Sequence, residues 1–234
     1  MVNDELIWER LARGTRSRSR LSYARIVKAA MRIADREGLE AISMRRIASQ
    51  LNAGTMSLYR YVATRDQLLD LLLDEAYGEI TVPARPSPDW RKDLRGLACQ
   101  TRTVLKRHSW LGPLLSSRPT LGPNYLHWFE FALSSTAATG LHMKMRLRIV
   151  GTINAWVSGV VGYELGEAET NRRHNLTEKR KRELVAPYLD RILATGQYPQ
   201  LAEFVRHGSG EVTDEDFEFG LDCLIAGLSL QVTR

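Results

Sequence analysis

The sequence predicts an all-α fold, in which a small helix-turn-helix head precedes a larger helical domain. Apolar residues recur at the three- and four-residue spacing of helix faces along much of the 234-residue chain. No alternating strand pattern of useful length and no internal repeat is present, and glycine and proline separate the helical segments. Three parts are expected: a disordered basic arm at residues 1–20, the head at residues 21–80, and the larger domain at residues 81–234.

The arm ends in the run RGTRSRSR, residues 13–20. This run is too polar to pack and should be disordered on its own. Such an arm can lie in the minor groove of DNA beside a helix held in the major groove, and Arg16 and Arg18 are its candidate contacts. The alternative is a tail that only keeps the chain soluble.

The first helix of the head is expected at Tyr23–Glu37, where one face is apolar. Ser22 can cap its start, and Gly38 stands where a helix C-cap glycine belongs. The apolar face is formed by Ile26, Val27, Ala30, Ile33 and Ala34.

Two short apolar-periodic segments follow between Ser43 and Val62 and flank a turn. Ser43 can cap the first segment, and Asn52 and Gly54 in the turn tolerate the positive φ that a tight helix–helix connection often needs. The second segment can point Leu58 and Val62 inward. Two short helices across a turn of this length form a helix-turn-helix.

The outward faces of these segments carry hydroxyls, phenols and guanidinium groups, which meet phosphates and base edges in DNA complexes. Arginine can grip guanine with two hydrogen bonds, so Arg45 and Arg60 are the stronger candidates for reading bases. The residues expected to read bases are Arg45, Thr55, Met56 and Arg60. The residues expected to hold phosphates are Ser57, Tyr59, Tyr61 and Arg65.

A connecting helix opens at Thr64, with Gln67 three residues on, which is the pattern of a capping box. Five leucines lie between residues 68 and 73, which makes this helix too apolar to stand free. We expect it to pack on both the head and the larger domain.

The larger domain begins in a proline-rich run at residues 81–90. Helices are expected at 90 to about 107, about 124–138, 141 to about 167, near 185–195 and at 214–232. The highly charged stretch at residues 171–183 is expected to be a connector.

Positive charge is concentrated on the head. The chain carries 33 Lys and Arg against 27 Asp and Glu, and its formal net charge is +6. Thirteen of the basic residues lie between Arg10 and Arg65, where only three acidic residues occur. A basic region that coincides with a helix-turn-helix is the electrostatic footprint of DNA binding, and a merely solvated basic face is the alternative.

The chain shows no sequence signature of a metalloprotein, an enzyme, a secreted protein or a membrane protein. Cys99 and Cys223 sit in apolar helical contexts, which fits buried thiols in a reducing cytoplasm. The histidines have no metal-ligand spacing and no catalytic motif is present, so we expect no metal, no cofactor and no enzymatic activity. No signal peptide is visible, and the uncharged run at residues 149–163 is shorter than the roughly 20 residues of a membrane span.

The run from Ser22 to Ile80 resembles the TetR family of one-component transcription regulators. Its segment GTMSLYRYVATRDQLLDLLLD is similar to that family's recognition helix and connecting helix. The last segment, DEDFEFGLDCLIAGL, and the motif SSRPT at residues 116–120 resemble the tetracycline-repressor branch. The resemblance covers nearly the whole chain and implies a cytoplasmic, homodimeric regulator that binds double-stranded operator DNA and a small effector.

Two stripes of residues indicate close helix packing in the larger domain. In the long helix the stripe is Gly151, Ala155, Gly159 and Gly162, and each glycine in a helix interior costs about 1 kcal/mol relative to alanine. In the last helix the stripe is Phe217, Leu221, Leu224 and Leu228. Packing within the chain would explain either stripe. The resemblance implies instead that both helices pair with their symmetry mates in a four-helix dimer interface.

The remaining aromatic residues of the larger domain form either a plain core or an effector pocket with polar groups that orient the ligand. The resemblance favours the pocket. Its expected residues are Thr101, Leu105, Trp110, Leu114, His127, Trp128, Phe131 and Asn154. In the tetracycline-binding members of the family, histidines hold the drug and its magnesium. The resemblance aligns those two positions with Thr81 and Leu114 of this chain, and neither side chain can do that work. Drug–metal sensing is therefore not implied, and a largely apolar organic effector is expected.

The sequence thus predicts a ligand-responsive transcription regulator. The resemblance implies a homodimer that represses by binding a palindromic operator and is released by a small organic effector. The alternative is a DNA-binding regulator or architectural protein without small-molecule control.

Overall fold

The computed structural model describes residues 6–13, 21–115, 121–207 and 213–232. Within these residues the chain forms twelve α-helices and no strand, which confirms the predicted all-α fold. The helices between residues 23 and 78 make up the head, and those from residue 90 to residue 232 make up the larger domain, called the body below.

A short helix, α1 (Ile7–Ala12), precedes the head. The Ile7 side chain is buried in the core, and the Arg10 guanidinium donates a hydrogen bond to the carbonyl of Tyr61 at 3.4 Å. The disordered arm expected at residues 1–20 is therefore wrong over this stretch, because its apolar residues pack against the head.

Three helices form the core of the head: α2 (Tyr23–Glu37), α3 (Met44–Gln50) and α4 (Thr55–Tyr59). Ser22 and Ser43 cap α2 and α3, each accepting a backbone N–H three residues on at 3.3 Å. Both caps are the predicted ones, and the bounds of α2 match the prediction. The helix-turn-helix consists of α3 and α4, which pack on each other beside α2.

The turn between α3 and α4 depends on an asparagine. Asn52 has a φ of 49°, the left-handed conformation that the sequence predicted for this turn. Gly54 has a φ of −75°, so of these two residues Asn52 alone takes the positive φ that both tolerate. Leu58 and Val62 are fully buried beyond the turn, as predicted, and they fix α4 against the head core.

The connecting helix is α5 (Arg65–Gly78). Thr64 caps it by accepting the Gln67 backbone N–H at 3.1 Å. The Gln67 side chain accepts the backbone N–H of Ala63 at 3.0 Å, one residue earlier than a capping box requires. Most of α5 is buried, because it packs on α2 within the head and on two helices of the body. This position between the two parts was predicted.

The body is built around α9 (Met143–Arg173), a helix of 31 residues. Around it pack α6 (Trp90–Arg107), the short α7 (Gly112–Leu115), α8 (Pro123–Ser135) and α12 (Asp214–Val232). The bounds of α6 and α12 match the prediction, whereas α8 is shorter and α9 longer than expected. The buried stripe of α9 follows helical spacing through Ile149, Val150, Ile153, Val157, Val161 and Leu165.

A buried ion pair ties three helices of the body together. Arg102 on α6 lies 2.5 Å from the Glu164 carboxylate on α9, and both side chains are only about one-tenth exposed. Arg102 also lies 2.8 Å from Asp214 at the start of α12, with its guanidinium 4.6 Å from the ring centroid of Phe217. Both charges are therefore compensated inside the body.

The charged stretch at residues 171–183 is helical over most of its length, so the expected connector there is wrong. It contains the end of α9 and the start of α10 (Glu178–Leu193), which Thr177 caps. An ion pair joins Lys181 to Glu167 across the turn between the helices. The last unpredicted helix, α11 (Pro199–His207), packs on α10. Among the described helices, none is both long and apolar enough to cross a membrane.

Candidate DNA-binding surface and effector pocket

The outer face of α3 and α4 presents most of the side chains predicted to contact DNA. Met56 is 77% exposed and Tyr59 is 44% exposed, and Arg45 and Arg60 are also exposed. Thr55 and Ser57 are half-buried at the start of α4. The inner face of α4 packs Leu58 into the head, which leaves the opposite face free for a DNA groove.

Tyr61 does not belong to this surface, so its prediction as a phosphate contact is wrong. Its side chain is 7% exposed, and its hydroxyl donates a hydrogen bond to the carbonyl of Leu21 at 3.0 Å. The ring also packs edge-on against Tyr23, with 5.2 Å between centroids. The cause is the turn after α4, where the backbone N–H groups of Tyr61 and Val62 bond to Leu58 and the chain bends back toward α2.

Arg65, predicted to hold a phosphate, lies half-exposed in the first turn of α5. Its guanidinium is 3.5 Å from the Glu40 carboxylate and donates to the carbonyl of Leu39 at 3.4 Å. Exposed ion pairs of this kind contribute little, about 0–1 kcal/mol. The guanidinium can therefore exchange Glu40 for a phosphate at small cost. The remaining DNA candidates, Arg16 and Arg18, lie outside the described residues.

In the interior of the body, two residues of the predicted pocket, Trp128 and Thr101, form a hydrogen bond with each other. The indole N–H of Trp128 donates to the hydroxyl oxygen of Thr101 at 3.0 Å, and that hydroxyl donates to the carbonyl of Leu97 at 2.7 Å. Leu105 and Phe131 are buried nearby in the same core. These side chains fill this part of the predicted pocket, so no space for a ligand remains among them.

A small cavity remains beside this cluster. Its volume is about 10 Å³, room for about one water molecule, and Trp128, Asn154 and apolar residues of α6, α8 and α9 line it. The side-chain oxygen of Asn154 is buried there and has no hydrogen-bond partner among the described residues. An unsatisfied buried acceptor costs about 1–3 kcal/mol, so this oxygen is a place where a donor would be stabilised.

Three other predicted pocket residues lie elsewhere. His127 is exposed on the outer face of α8, so its assignment to the pocket is wrong. The helical period explains the error, because His127 precedes buried Trp128 by one residue and so points about 100° away from it. Leu114 is buried on α7, and Trp110 is buried where the body meets the head.

Trp110 borders a larger cleft of about 660 Å³ between the head and the body. Its walls come from the end of α2 and the following turn, from the segment around α7, and from the C-terminal half of α9. Sequence reasoning missed this cleft, since its lining comes from segments that are far apart in the chain and share no motif.

The predicted glycine stripe of α9 faces away from the chain's own core. Gly151, Ala155 and Gly159 are exposed and Gly162 is half-exposed. A Cβ added at any of the three glycines would meet nothing within 4 Å. Packing within the chain therefore does not explain these glycines. Whether a second copy covers them stays a prediction.

The predicted stripe of α12 divides into two halves. Phe217 and Leu221 are 1% and 0% exposed, so their assignment to a dimer interface is wrong. They face inward because α12 lies close against α9: a Cβ on Gly220 would come within 2.2 Å of the Trp156 ring. Leu224 and Leu228 are half-buried at the edge. Sequence reasoning missed Phe219, which is 72% exposed on the outer side of the same helix.

Two family profiles match the two parts of this architecture. The one described as "Bacterial regulatory proteins, tetR family" matches residues 26–72, within the head. The one described as "Tetracyclin repressor-like, C-terminal domain" matches residues 82–232, nearly the whole body. The chain belongs to the TetR family. As a TetR-family protein it is a transcription regulator, with a helix-turn-helix head and a body of the ligand-binding type.

TetR-family relatives match over most of their length. The HTH-type transcriptional repressor DrrR1 of Streptomyces coeruleorubidus is 37% identical, over 98% of this chain and 86% of the relative. An HTH-type transcriptional regulator of Saccharopolyspora erythraea is 34% identical, over 95% of this chain and 91% of the relative. Among solved structures, ActR of Streptomyces coelicolor in complex with actinorhodin has a TM-score of 0.75 and 30% identity, over 92% of this chain and 99% of that chain.

Proposed function

We propose that this TetR-family protein is a homodimeric repressor that binds a palindromic DNA operator in the cytoplasm and is released by a small organic effector. The observation that carries this proposal is the exposed face of α4, where Met56, Tyr59 and Arg60 project outward from a packed helix-turn-helix. A palindrome presents two equal half-sites, so it calls for two heads related by a two-fold axis.

On this proposal the outward-facing residues of α3, α4 and the first turn of α5 contact either base edges or phosphates. Arg45, Thr55, Met56 and Arg60 read base edges in the major groove. Ser57, Tyr59 and Arg65 hold the phosphates on either side. Base contacts give sequence preference, and phosphate contacts give affinity that falls with salt.

The dimer forms through the outer faces of α9 and α12. Gly151, Ala155, Gly159 and Gly162 let a partner helix approach closely, because their exposed side has no Cβ or only a methyl group. Phe219, Leu224 and Leu228 then supply apolar surface for the partner. An exposed phenylalanine and an exposed glycine stripe on two helices that pack together favour a helix-packed interface.

The effector binds in the interior of the body beside Trp128, Phe131 and Asn154. Three features support this site: its aromatic walls, the partnerless oxygen of Asn154, and the similarity to ActR, which has been crystallised with actinorhodin and with (S)-DNPA. Ligand pockets usually enclose about 300–1,000 Å³. The cavity of about 10 Å³ must therefore open, and the effector favours the opened conformation.

The movement of helices that opens the cavity is transmitted to the DNA-binding head by α5. This helix packs on α6 and α8, so a shift of either helix moves α5 and the head with it. Effector binding then weakens operator binding, and by linkage the operator weakens effector binding by the same factor.

The test begins with a palindrome that the protein itself selects from random-sequence DNA. A melting-temperature screen against a library of aromatic organic metabolites identifies compounds that bind. Fluorescence anisotropy then gives operator affinity with and without a compound from the screen. We expect the affinity to fall at least about tenfold at saturation, which corresponds to a coupling of about 1.4 kcal/mol.

The second candidate is a DNA-binding regulator without small-molecule control. The closed interior favours it, because the described residues around Trp128 leave room for only about one water. On this alternative no compound raises the melting temperature, and operator affinity is the same in every compound's presence.

A further inference from the structure

The end of α2 is attached to the body by one carboxylate. The indole N–H of Trp110 donates to Asp35 Oδ1 at 2.7 Å, and the Nδ1 of His108 lies 2.7 Å from the same oxygen. Trp110 and His108 are buried, whereas the Asp35 side chain is about one-third exposed at the edge of the junction. Among the described residues, these are the polar contacts between α2 and the body.

His108 also reaches the second element of the head. Its Nε2 lies 3.1 Å from a carboxylate oxygen of Glu79, directly after α5. The other oxygen of Glu79 lies 3.2 Å from the Arg107 guanidinium. A protonated imidazole donates to both carboxylates, whereas a neutral one donates to a single partner. One body residue thus holds the head at two points, α2 through Asp35 and the end of α5 through Glu79.

A cleft adjoins this junction on one side. The cleft of about 660 Å³ opens beside Asp35 and Trp110, between the end of α2 and the C-terminal half of α9. Beside the cleft, the end of α2 meets the body at the segment that contains Trp110, where the Asp35 hydrogen bonds lie. These contacts and the packing of α5 set the angle between the head and the body.

We infer that Asp35 is a positioning residue that fixes the tilt of the head relative to the body, and through it the separation of the two α4 helices of the dimer on DNA. The inference rests on the proposed dimer. Half-sites of a palindrome lie about 34–36 Å apart for one helical turn of DNA. A dimer whose heads are held at one tilt binds half-sites at one such separation, whereas a dimer with loosely held heads binds half-sites at several separations.

Three variants isolate this role. Asp35→Ala removes both contacts, and Trp110→Phe removes one donor while keeping an aromatic ring. Glu37→Ala is the matched control: Glu37 also lies at the end of α2 and borders the cleft, but its carboxylate pairs with Arg46 inside the head at 2.5 Å. It therefore removes the same charge without touching the junction.

The measurement is operator affinity on a series of palindromes that differ in half-site spacing. The palindrome selected by the wild-type protein is remade with one base pair added or removed at its centre. We expect wild type and Glu37→Ala to lose about tenfold or more on the altered spacings. Asp35→Ala should bind the selected palindrome more weakly, and its affinities for the different spacings should differ by about threefold or less. The spacing preference of Trp110→Phe should lie between those of wild type and Asp35→Ala.

Each other outcome overturns the inference. A uniform loss at all spacings for Asp35→Ala would show a merely structural role, and an unchanged spacing preference would show that Asp35 does not set the tilt. If Asp35→Ala does not fold, Trp110→Phe decides by the same criterion. A wild-type protein without any spacing preference would instead overturn the proposed dimer on a palindrome, and the inference with it.

Discussion

Asp74 on the connecting helix holds Tyr125 at the start of α8 by accepting its backbone N–H at 2.9 Å. The second carboxylate oxygen accepts the side-chain amide of Asn124 at 3.1 Å. Gly122, which directly precedes α8, must be glycine, because a Cβ there would lie 2.1 Å from the Asp74 carboxylate. A residue of the head thus caps a helix of the body, and Tyr77 extends the contact by packing edge-on against Tyr125 and Trp128.

The first prediction concerns this cap. Asp74→Ala removes a buried carboxylate that accepts the backbone N–H of Tyr125 and the side-chain amide of Asn124, and it should lower the free energy of unfolding by about 2–3 kcal/mol. Asp93→Ala is the control. Its carboxylate also accepts a backbone N–H, from Ser87 at 2.7 Å, but both residues lie in the body and are partly exposed. We expect that variant to lose about 1 kcal/mol in urea unfolding. Equal losses of unfolding free energy in the two variants would show that the Asp74 cap stabilises the protein no more than an ordinary surface hydrogen bond does.

A second prediction follows from the protonation of Asp74. Burial raises the pKa of its carboxyl above the ordinary value of 3.8, against the hydrogen bonds from Tyr125 and Asn124, which lower it. The folded protein therefore keeps this proton to higher pH than the unfolded chain does. The stabilisation from this group is complete below pH 3.8 and declines as pH rises through the raised pKa. Urea unfolding should show the stability of wild type relative to Asp74→Asn, which cannot titrate at this position, falling as pH rises through this range. A relative stability that rises with pH would mean that the hydrogen bonds outweigh burial.

The third prediction tests the DNA-binding surface. Arg60→Ala should relax sequence preference, because a bidentate contact to guanine discriminates by about 1–3 kcal/mol. Tyr59→Phe removes only the exposed hydroxyl, so it should weaken binding to all sites alike. Tyr61→Phe is an instructive contrast, since that hydroxyl bonds to Leu21 inside the head and its loss should change stability more than salt-dependent affinity. Gel-shift titrations on matched and mismatched palindromes separate these cases, and wild-type behaviour of Arg60→Ala on every site would remove Arg60 from the base readers.

Much of the fold could be predicted because local signals set it. Ser22 and Gly38 bound α2, and the apolar period of α6 ends where its polar last turn begins. Asn52 takes the left-handed turn that the short loop demands. These features depend on residues within a few positions of one another, so the sequence shows them directly.

The rest depends on contacts between distant segments, which one sequence does not display. Leucine and phenylalanine at helical spacing look the same whether they face their own chain, as Phe217 does, or a second copy. The direction of Tyr61 depends on the turn after α4. The charged start of α10 forms an ion pair between Lys181 and Glu167 on another helix. The junction at Asp35 combines α2 with residues more than seventy positions away.

The fourth prediction concerns the proposed dimer. Gly159→Arg should dissociate it, because a long charged side chain would stand where a partner helix approaches. The monomer should stay folded, since a Cβ at Gly159 meets nothing within 4 Å inside the chain. Gly96→Arg is the control, as Gly96 is another exposed helical glycine with open space around it but lies on α6, outside the stripe. Sedimentation velocity should show a monomer for the first variant and a dimer for the second. A dimer in both would remove the α9 stripe from the interface.

The last prediction concerns Asn154, whose buried oxygen lacks a partner in the small cavity beside Trp128. Asn154→Leu replaces the amide by an apolar group with the same branching, so it removes the unsatisfied acceptor and should raise the free energy of unfolding by about 1 kcal/mol. Thr152→Leu, on the exposed side of the same helix, should give no such gain. If Asn154 orients the effector, the stabilised variant should also bind a compound from the melting-temperature screen at least about fivefold more weakly, since a donor on that compound loses its acceptor. Calorimetric titration of both variants decides the point. Tight binding by Asn154→Leu would leave the cavity as a core defect and place the effector elsewhere in the body.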